Sequence, residues 1–256
     1  MSDVALPRTS PAYQEEASAQ TVAAPLGYWR AALPRYGVSV LLEKRAVAVN
    51  MGLSVVLLAA CVLYLSLGSV TLSPNAVVAS LIGQGDSMTT FMVQQLRLPR
   101  LIAACFTGAA FALAGVLMQT LARNRLATPG IIGIDNGATA FAVASIVGMG
   151  VGIAPPAMAL AGATTAAVLT FGLAAGSGTQ GYRFIVAGIG VGAVFGAVTQ
   201  LMLARVAIDT ANAAYPWTVG SLNARPASAV QLLGIGLALG LVAALALARS
   251  LTLLRF

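Results

Sequence analysis

Charged residues interrupt an otherwise apolar chain at intervals, and the gaps between them have the length of membrane helices. Ala46 to Val70 is uncharged for 25 residues after the Lys44-Arg45 pair. Leu101 to Ala122 gives 22 between Arg100 and Arg123, Phe184 to Ala204 gives 21, and Pro226 to Ala248 gives 23. A helix needs about 20 apolar residues to cross the hydrocarbon layer. Asn136 to Tyr182 is uncharged for 47 residues, too long for one helix. Pro155-Pro156 divides it, because proline cannot continue a helix and restrains the residue before it. That gives 136–154 and 157–175. The pattern predicts an all-α integral membrane protein with six transmembrane helices, since lipid tolerates no unpaired backbone.

Composition agrees. The chain is 59% hydrophobic and 8% charged, too few charges to coat a water-facing globule of 256 residues. Aromatics at 6% are sparse for an aromatic-girdled β-barrel. Histidine is absent, so His-based metal sites and general bases are excluded, and no metal or cofactor site is expected. Cys61 and Cys105 lie in apolar runs and read as small buried hydrophobes. No nucleophile with a base or cluster of acids suggests an enzyme.

The net charge of +7 reports topology rather than nucleic-acid binding. With six spans, nine Lys and Arg flank one side (Arg30, Arg35, Lys44, Arg45, Arg123, Arg125, Arg183, Arg249 and Arg255). Four (Arg97, Arg100, Arg205 and Arg225) flank the other. The positive-inside rule places both termini in the cytoplasm. Residues 1–45 form a cytoplasmic tail, largely disordered over its Ser-, Ala-, Pro- and Glu-rich first 25 residues. Gly27 to Lys44 mixes Tyr28, Trp29 and Tyr36 with basic residues and suits either an interfacial stretch on anionic lipid or a flexible linker.

Small residues recur at helical spacing: Gly188, Gly192 and Gly196; Gly236 and Gly240; Gly133 and Gly137; Gly108, Ala112 and Gly115. Such stripes let helices approach closely in lipid. Polar residues are few within the spans, among them Thr107, Gln119, Asn136, Thr139, Thr199 and Gln200, and no ionisable group lies deep. An ion-coupled carrier usually needs one, so a scaffold or a transporter energised by a partner is favoured. Two connectors stand out. Arg97-Leu-Pro99-Arg100 presents a fixed positive patch outside, or else two arginines snorkelling at a helix end. Arg123-Asn124-Arg125-Leu126-Ala127-Thr128-Pro129-Gly130 forms a cytoplasmic loop with Pro-Gly punctuation.

Together these segments resemble one family. LRLPRLIAACFTGAAFALAGVLMQTLARNRLATPGIIGIDNGA (96–138), YRFIVAGIGVGAVFGAVTQ (182–200) and WTVGSLNAR (217–225) are similar to the permease subunits of ABC importers for iron-siderophore, haem and cobalamin. The likeness spans 46–256, with Arg125 where the family usually has Pro. The GIGV and GSLN details look most like the ferric-enterobactin branch.

The resemblance implies a ten-helix permease in the cytoplasmic (inner) membrane. It implies a second permease subunit, two cytoplasmic ATP-binding subunits and a periplasmic or lipid-anchored substrate-binding protein that delivers a ferric siderophore. Arg97 and Arg100 would dock acidic residues of that binding protein. Gly188, Gly192, Gly196, Thr199 and Gln200 would line the pathway or pack helices. Trp217, Gly220, Ser221 and Asn223 would belong to a short external helix and gate. On this reading 46–256 is the N-terminal part of such a permease. A segment that contacts the ATPase and four more helices would follow Phe256, and without them ATP hydrolysis alone would not drive transport. Haem or cobalamin on the same scaffold, and a non-transporting six-helix scaffold, remain the alternatives.

Overall fold

The computed structural model describes residues 25–33, 38–148, 154–175, 182–223 and 227–253. The chain divides into two compact units, Met1–Ser69 and Val70–Phe256. Helices dominate both.

In the first unit, strands β1 (Tyr28–Leu33) and β2 (Val38–Glu43) pair antiparallel, with Trp29 opposite Leu42 and Tyr28 opposite Glu43. The stretch expected as an interfacial segment or linker is paired as two strands, a small sheet beside an otherwise helical chain. Tyr, Trp and Val suit a pleated strand better than a helix; Tyr28 and Trp29 stand on β1, and Val38 and Val40 on β2. The Lys44 amide donates to the Gly27 carbonyl at 2.9 Å and ties the base of the hairpin to helix α1 (Lys44–Ser66). None of the apolar window of α1 is buried within the chain. Two of its polar side chains bond the helix itself: Asn50 donates to the Ala46 carbonyl and Ser54 to that of Asn50. A side-chain donor that bonds its own helix backbone is not left unpaired toward lipid.

The second unit begins with α2 (Pro74–Leu81), capped by Ser73, and the five-residue α3 (Ser87–Phe91), capped by Asp86. A π-helical turn, Met92–Arg97, leads into α4 (Leu98–Leu121). The helical run from Ser87 to Leu121 is continuous over 35 residues, so the second expected span starts further upstream than its charges suggest. A 3₁₀ turn at Pro129–Ile132 precedes α5 (Ile134–Val147). Then follow α6 (Pro155–Leu173), α7 (Tyr182–Ala204), α8 (Ile208–Val219) and α9 (Ala227–Leu253). Pro155 opens α6, as its fixed φ and missing N–H allow at a first turn.

Five helices of the described residues are long and apolar enough to cross a membrane. The third expected span, 136–154, is instead α5, only 14 residues long. At 1.5 Å per residue that is about 21 Å, short of the roughly 30 Å hydrocarbon layer. Gly148 at φ 78° ends it. This short helix is nevertheless the centre of the unit, packing against α6, α7 and α8, while α9 packs along α4. Ala142, Val143, Ala166 and Thr170 are fully buried there, and Phe184 nearly so. Phe171 stacks at a tilt on Phe184, 5.3 Å between centroids, and Phe141 meets Phe195 edge-on at 6.1 Å.

Candidate functional site

Three clusters of expected site residues sort to the two ends of α4. Its 24 residues extend about 36 Å, so the arginines before it and the loop after it lie on opposite sides of one membrane-length helix.

At the start of α4, Arg97 and Arg100 differ in environment. Arg97 closes the π turn, is half-buried, and donates from Nη2 to the Val70 carbonyl at 2.6 Å. That bond fixes the segment ahead of α2 against the head of α4. Arg100 is exposed. Pro99 stands in the first turn of α4 and holds the backbone between them. The sequence treats the two arginines alike; the structure gives one a structural bond and presents the other to the surroundings. The Val70 carbonyl has no sequence signature, 27 residues away.

At the far end the chain turns over Arg123–Gly133. Arg123 adopts φ 48°, a left-handed conformation that costs a non-glycine residue about 1–2 kcal/mol. Asn124 closes an Asx turn by accepting from the Leu126 amide through Oδ1 at 2.9 Å. Arg123, Asn124, Arg125 and Gly130 are exposed, Pro129 is half-buried and Ala127 is buried. The Asp135 carboxylate lies over Gly130, 2.9 Å from where a Cβ would stand. The turn is held from below by Thr170 of α6, fully buried, whose hydroxyl donates to the Ile132 carbonyl at 3.0 Å.

The glycine ridge of α7 seats the same turn. A Cβ on Gly188 would strike the Ile131 carbonyl oxygen and approach Ile132 Cα to 2.9 Å. A Cβ on Gly133 would come within 2.8 Å of the Gly192 amide nitrogen, and one on Gly192 within 3.1 Å of Asn136 Nδ2. Gly196 follows, where an added Cβ would stand 4.0 Å from Asn136 Oδ1. Thr199 is buried and donates to the Phe195 carbonyl at 2.9 Å, whereas Gln200 is exposed. Gly188 and Gly192 are thus packing surfaces within this chain. A second close approach joins α5 to α6, where Gly137 and Gly162 meet backbone to backbone. Other stripes do less: nothing lies within 4 Å of a Cβ on Gly108, Gly115 or Gly236, and Gly234 rather than Gly236 meets Phe106 of α4, at 2.8 Å. Thr170, Gly162 and Gly234 escaped the sequence reading, because spacing marks a helix face and not what lies against it.

The third cluster follows α7. Residues 208–219 form the short helix α8, and Gly220 ends it at φ 76°, with Ser221 and Asn223 beyond it. Thr139 of α5 donates to the Trp217 carbonyl at 3.4 Å, and the Asn223 amide to Ser221 Oγ at 3.2 Å. Pro216, Trp217, Gly220 and Ser221 wall a cavity of about 330 Å³ with Ala103 of α4, Pro156 of α6 and Val230 of α9. Arg225 lies outside the described residues.

Residues 56–256 match the FecCD transport family. The chain belongs to that family. It is 37% identical over 168 residues to the achromobactin transport system permease protein of Dickeya dadantii, covering 64% of this chain and 48% of that protein. It is 37% identical over 198 residues to the Fe(3+)-citrate import system permease protein of Bacillus subtilis, covering 75% and 57%. A ferric enterobactin transport system permease protein of Escherichia coli is 34% identical over 157 residues, covering 61% and 48%. The chain therefore spans about half the length of these relatives. Its fold is shared with a structure assigned to the metal-chelate type of ABC transporter in an inward-facing conformation. The TM-score is 0.66 at 22% identity, over 80% of this chain and 62% of that one. A FecCD family chain with five membrane-length helices is a multi-pass membrane protein.

Proposed function

We propose that the chain is part of the permease of an ABC importer that carries ferric siderophores across the cytoplasmic membrane. The observation that carries this reading is the match to the family from residue 56 to 256. The relatives' names narrow the cargo: achromobactin, Fe(3+)-citrate and enterobactin systems all appear among them. They favour an iron chelate over haem or cobalamin without selecting the enterobactin branch, since the identities to the other two are higher.

In this reading both termini are cytoplasmic, residues 1–45 are a cytoplasmic extension, and a second permease subunit completes the pathway. ATP-binding subunits in the cytoplasm supply the energy. The head of α4 faces the binding protein. Arg97 shapes that surface through the Val70 carbonyl, and exposed Arg100 offers a guanidinium to an acidic side chain. A rim charge of that kind acts mainly on the association rate and its salt dependence. Trp217 to Asn223 form the external gate segment. The Arg123–Gly130 loop faces the cytoplasm, and the pathway runs beside α7 on the side away from its glycine seat.

The test is uptake of radiolabelled iron, supplied as a ferric siderophore, in cells that carry the complete transporter with and without this chain. Uptake that depends on the chain and on ATP supports the reading. Accumulation of haem or cobalamin instead would move the substrate. Correct insertion with no uptake of any chelate, and no copurifying ATPase, would refute it.

A further inference from the structure

The cavity walled by Trp217 has features the transport reading leaves unused. Ala103, Ala229, Val230, Leu233, Leu222, Pro156 and Pro216 make its lining almost wholly apolar. Ala103 belongs to the second turn of α4, Pro156 to the first turn of α6, and Ala229, Val230 and Leu233 to the first two turns of α9. Two helices of membrane length, α6 and α9, thus begin around it, beside the α4 segment that follows Pro99, which puts it at the edge of the hydrocarbon layer. The apolar molecule abundant at that depth is a lipid chain. Trp217 is the kind of residue that populates this level. A charge stands one turn from the lining along α4. Arg100 precedes Ala103 by three residues and so lies on the same helix face, one turn nearer the exposed end. Helical side chains lean toward the N-terminus, and Arg100 is exposed, so a guanidinium at this position is available at the outer end of the cavity's α4 wall.

We propose that this cavity binds an anionic phospholipid, with one acyl chain among α4, α6, α8 and α9 and the phosphate held by Arg100. The planar guanidinium matches phosphate and carboxylate equally well. An acidic side chain of a docked binding protein would therefore replace the phosphate, and the two uses of Arg100 alternate. The lipid site itself does not depend on transport.

The experiment uses tryptophan fluorescence. The chain has two tryptophans, so Trp29→Phe leaves Trp217 as the reporter. The full chain is placed in phosphatidylcholine bilayers doped with brominated phosphatidylglycerol or, separately, brominated phosphatidylcholine. One nearby arginine favours an anionic lipid by about fivefold, so brominated phosphatidylglycerol should quench Trp217 at about one fifth of the mole fraction. Arg100→Gln, a change at an exposed side chain, should make the two lipids equal. Ala229→Phe fills the cavity and should reduce quenching by both. Equal quenching by both lipids in the parent, or a preference that survives Arg100→Gln, overturns the proposal. Unchanged quenching in a folded Ala229→Phe chain overturns it as well. If that variant does not fold, the comparison of the parent with Arg100→Gln still decides.

Discussion

Replacing Gly188 by alanine tests whether the glycine ridge of α7 is a seat for the Pro129–Ile132 turn. The added methyl would collide with the Ile131 carbonyl oxygen and stand 2.9 Å from Ile132 Cα. Ordinary contact begins near 3.4 Å, so helix and turn must part by at least half an ångström. The turn cannot retreat freely, because Thr170 holds the Ile132 carbonyl from the other side. Overpacking of this kind costs about 1–3 kcal/mol. Gly190 is the control: it lies on the same helix with nothing within 4 Å of its Cβ position. Both substitutions gain the same intrinsic helix preference, about 1 kcal/mol, which cancels between them. Gly188→Ala should therefore fall below Gly190→Ala by about 1–3 kcal/mol. Equilibrium unfolding in mixed micelles with increasing dodecyl sulfate, followed by circular dichroism, measures the gap. Equal stability of the two variants would refute the seating argument.

Thr170→Val removes the donor to a buried carbonyl while keeping the shape, and should cost about 1–3 kcal/mol in the same unfolding assay. Gly133→Ala should cost more than Gly148→Ala. Both have positive φ, 72° and 78°, but only Gly133 would also press on α7, where the Gly192 amide is 2.8 Å away. Gly148→Ala carries the left-handed penalty alone, about 1–2 kcal/mol, so equal losses would show that the contact contributes nothing. Arg97→Gln should raise amide hydrogen exchange in residues 70–73, and Arg100→Gln should leave it unchanged; the reverse would place the structural bond on the wrong arginine.

Much of the architecture is legible in the spacing of charges because insertion in lipid is governed by simple lengths. The span drawn at 46–70 is a helix at Lys44–Ser66, and Pro155-Pro156 divides the long apolar run where α6 begins. The failures have physical causes. Charge spacing reports where a polar group interrupts an apolar run, not where a helix stops, so the 14 residues of α5 read as 19. Gly148 was the available signal, but glycine is common in membrane helices and ends one only when its φ is positive. The hairpin was hidden because its strand formers are interleaved with basic residues that also suit a membrane surface. Among the site residues, Gly188 and Gly192 were visible as a stripe, yet their partners, Ile131, Gly133 and Asn136, sit nearly sixty residues earlier. Nothing local announces such a pairing. The asymmetry between Arg97 and Arg100 was equally invisible, since it turns on one carbonyl at Val70.

The shortness of α5 bears on how the chain enters the bilayer. A helix that inserts alone must cover the hydrocarbon layer by itself, and α5 falls about 9 Å short. Asp135, Asn136 and Thr139 stand in its first two turns, where they raise the cost of a solitary insertion further. The backbone that flanks it, the 3₁₀ turn, tolerates membrane depth only when protein surrounds it. That surrounding comes from Thr170 on α6 and Gly188 on α7, both later in the chain. The surroundings of α5 are thus completed only by helices that follow it in the chain, and its place in the fold depends on α6 and α7 rather than on its own length.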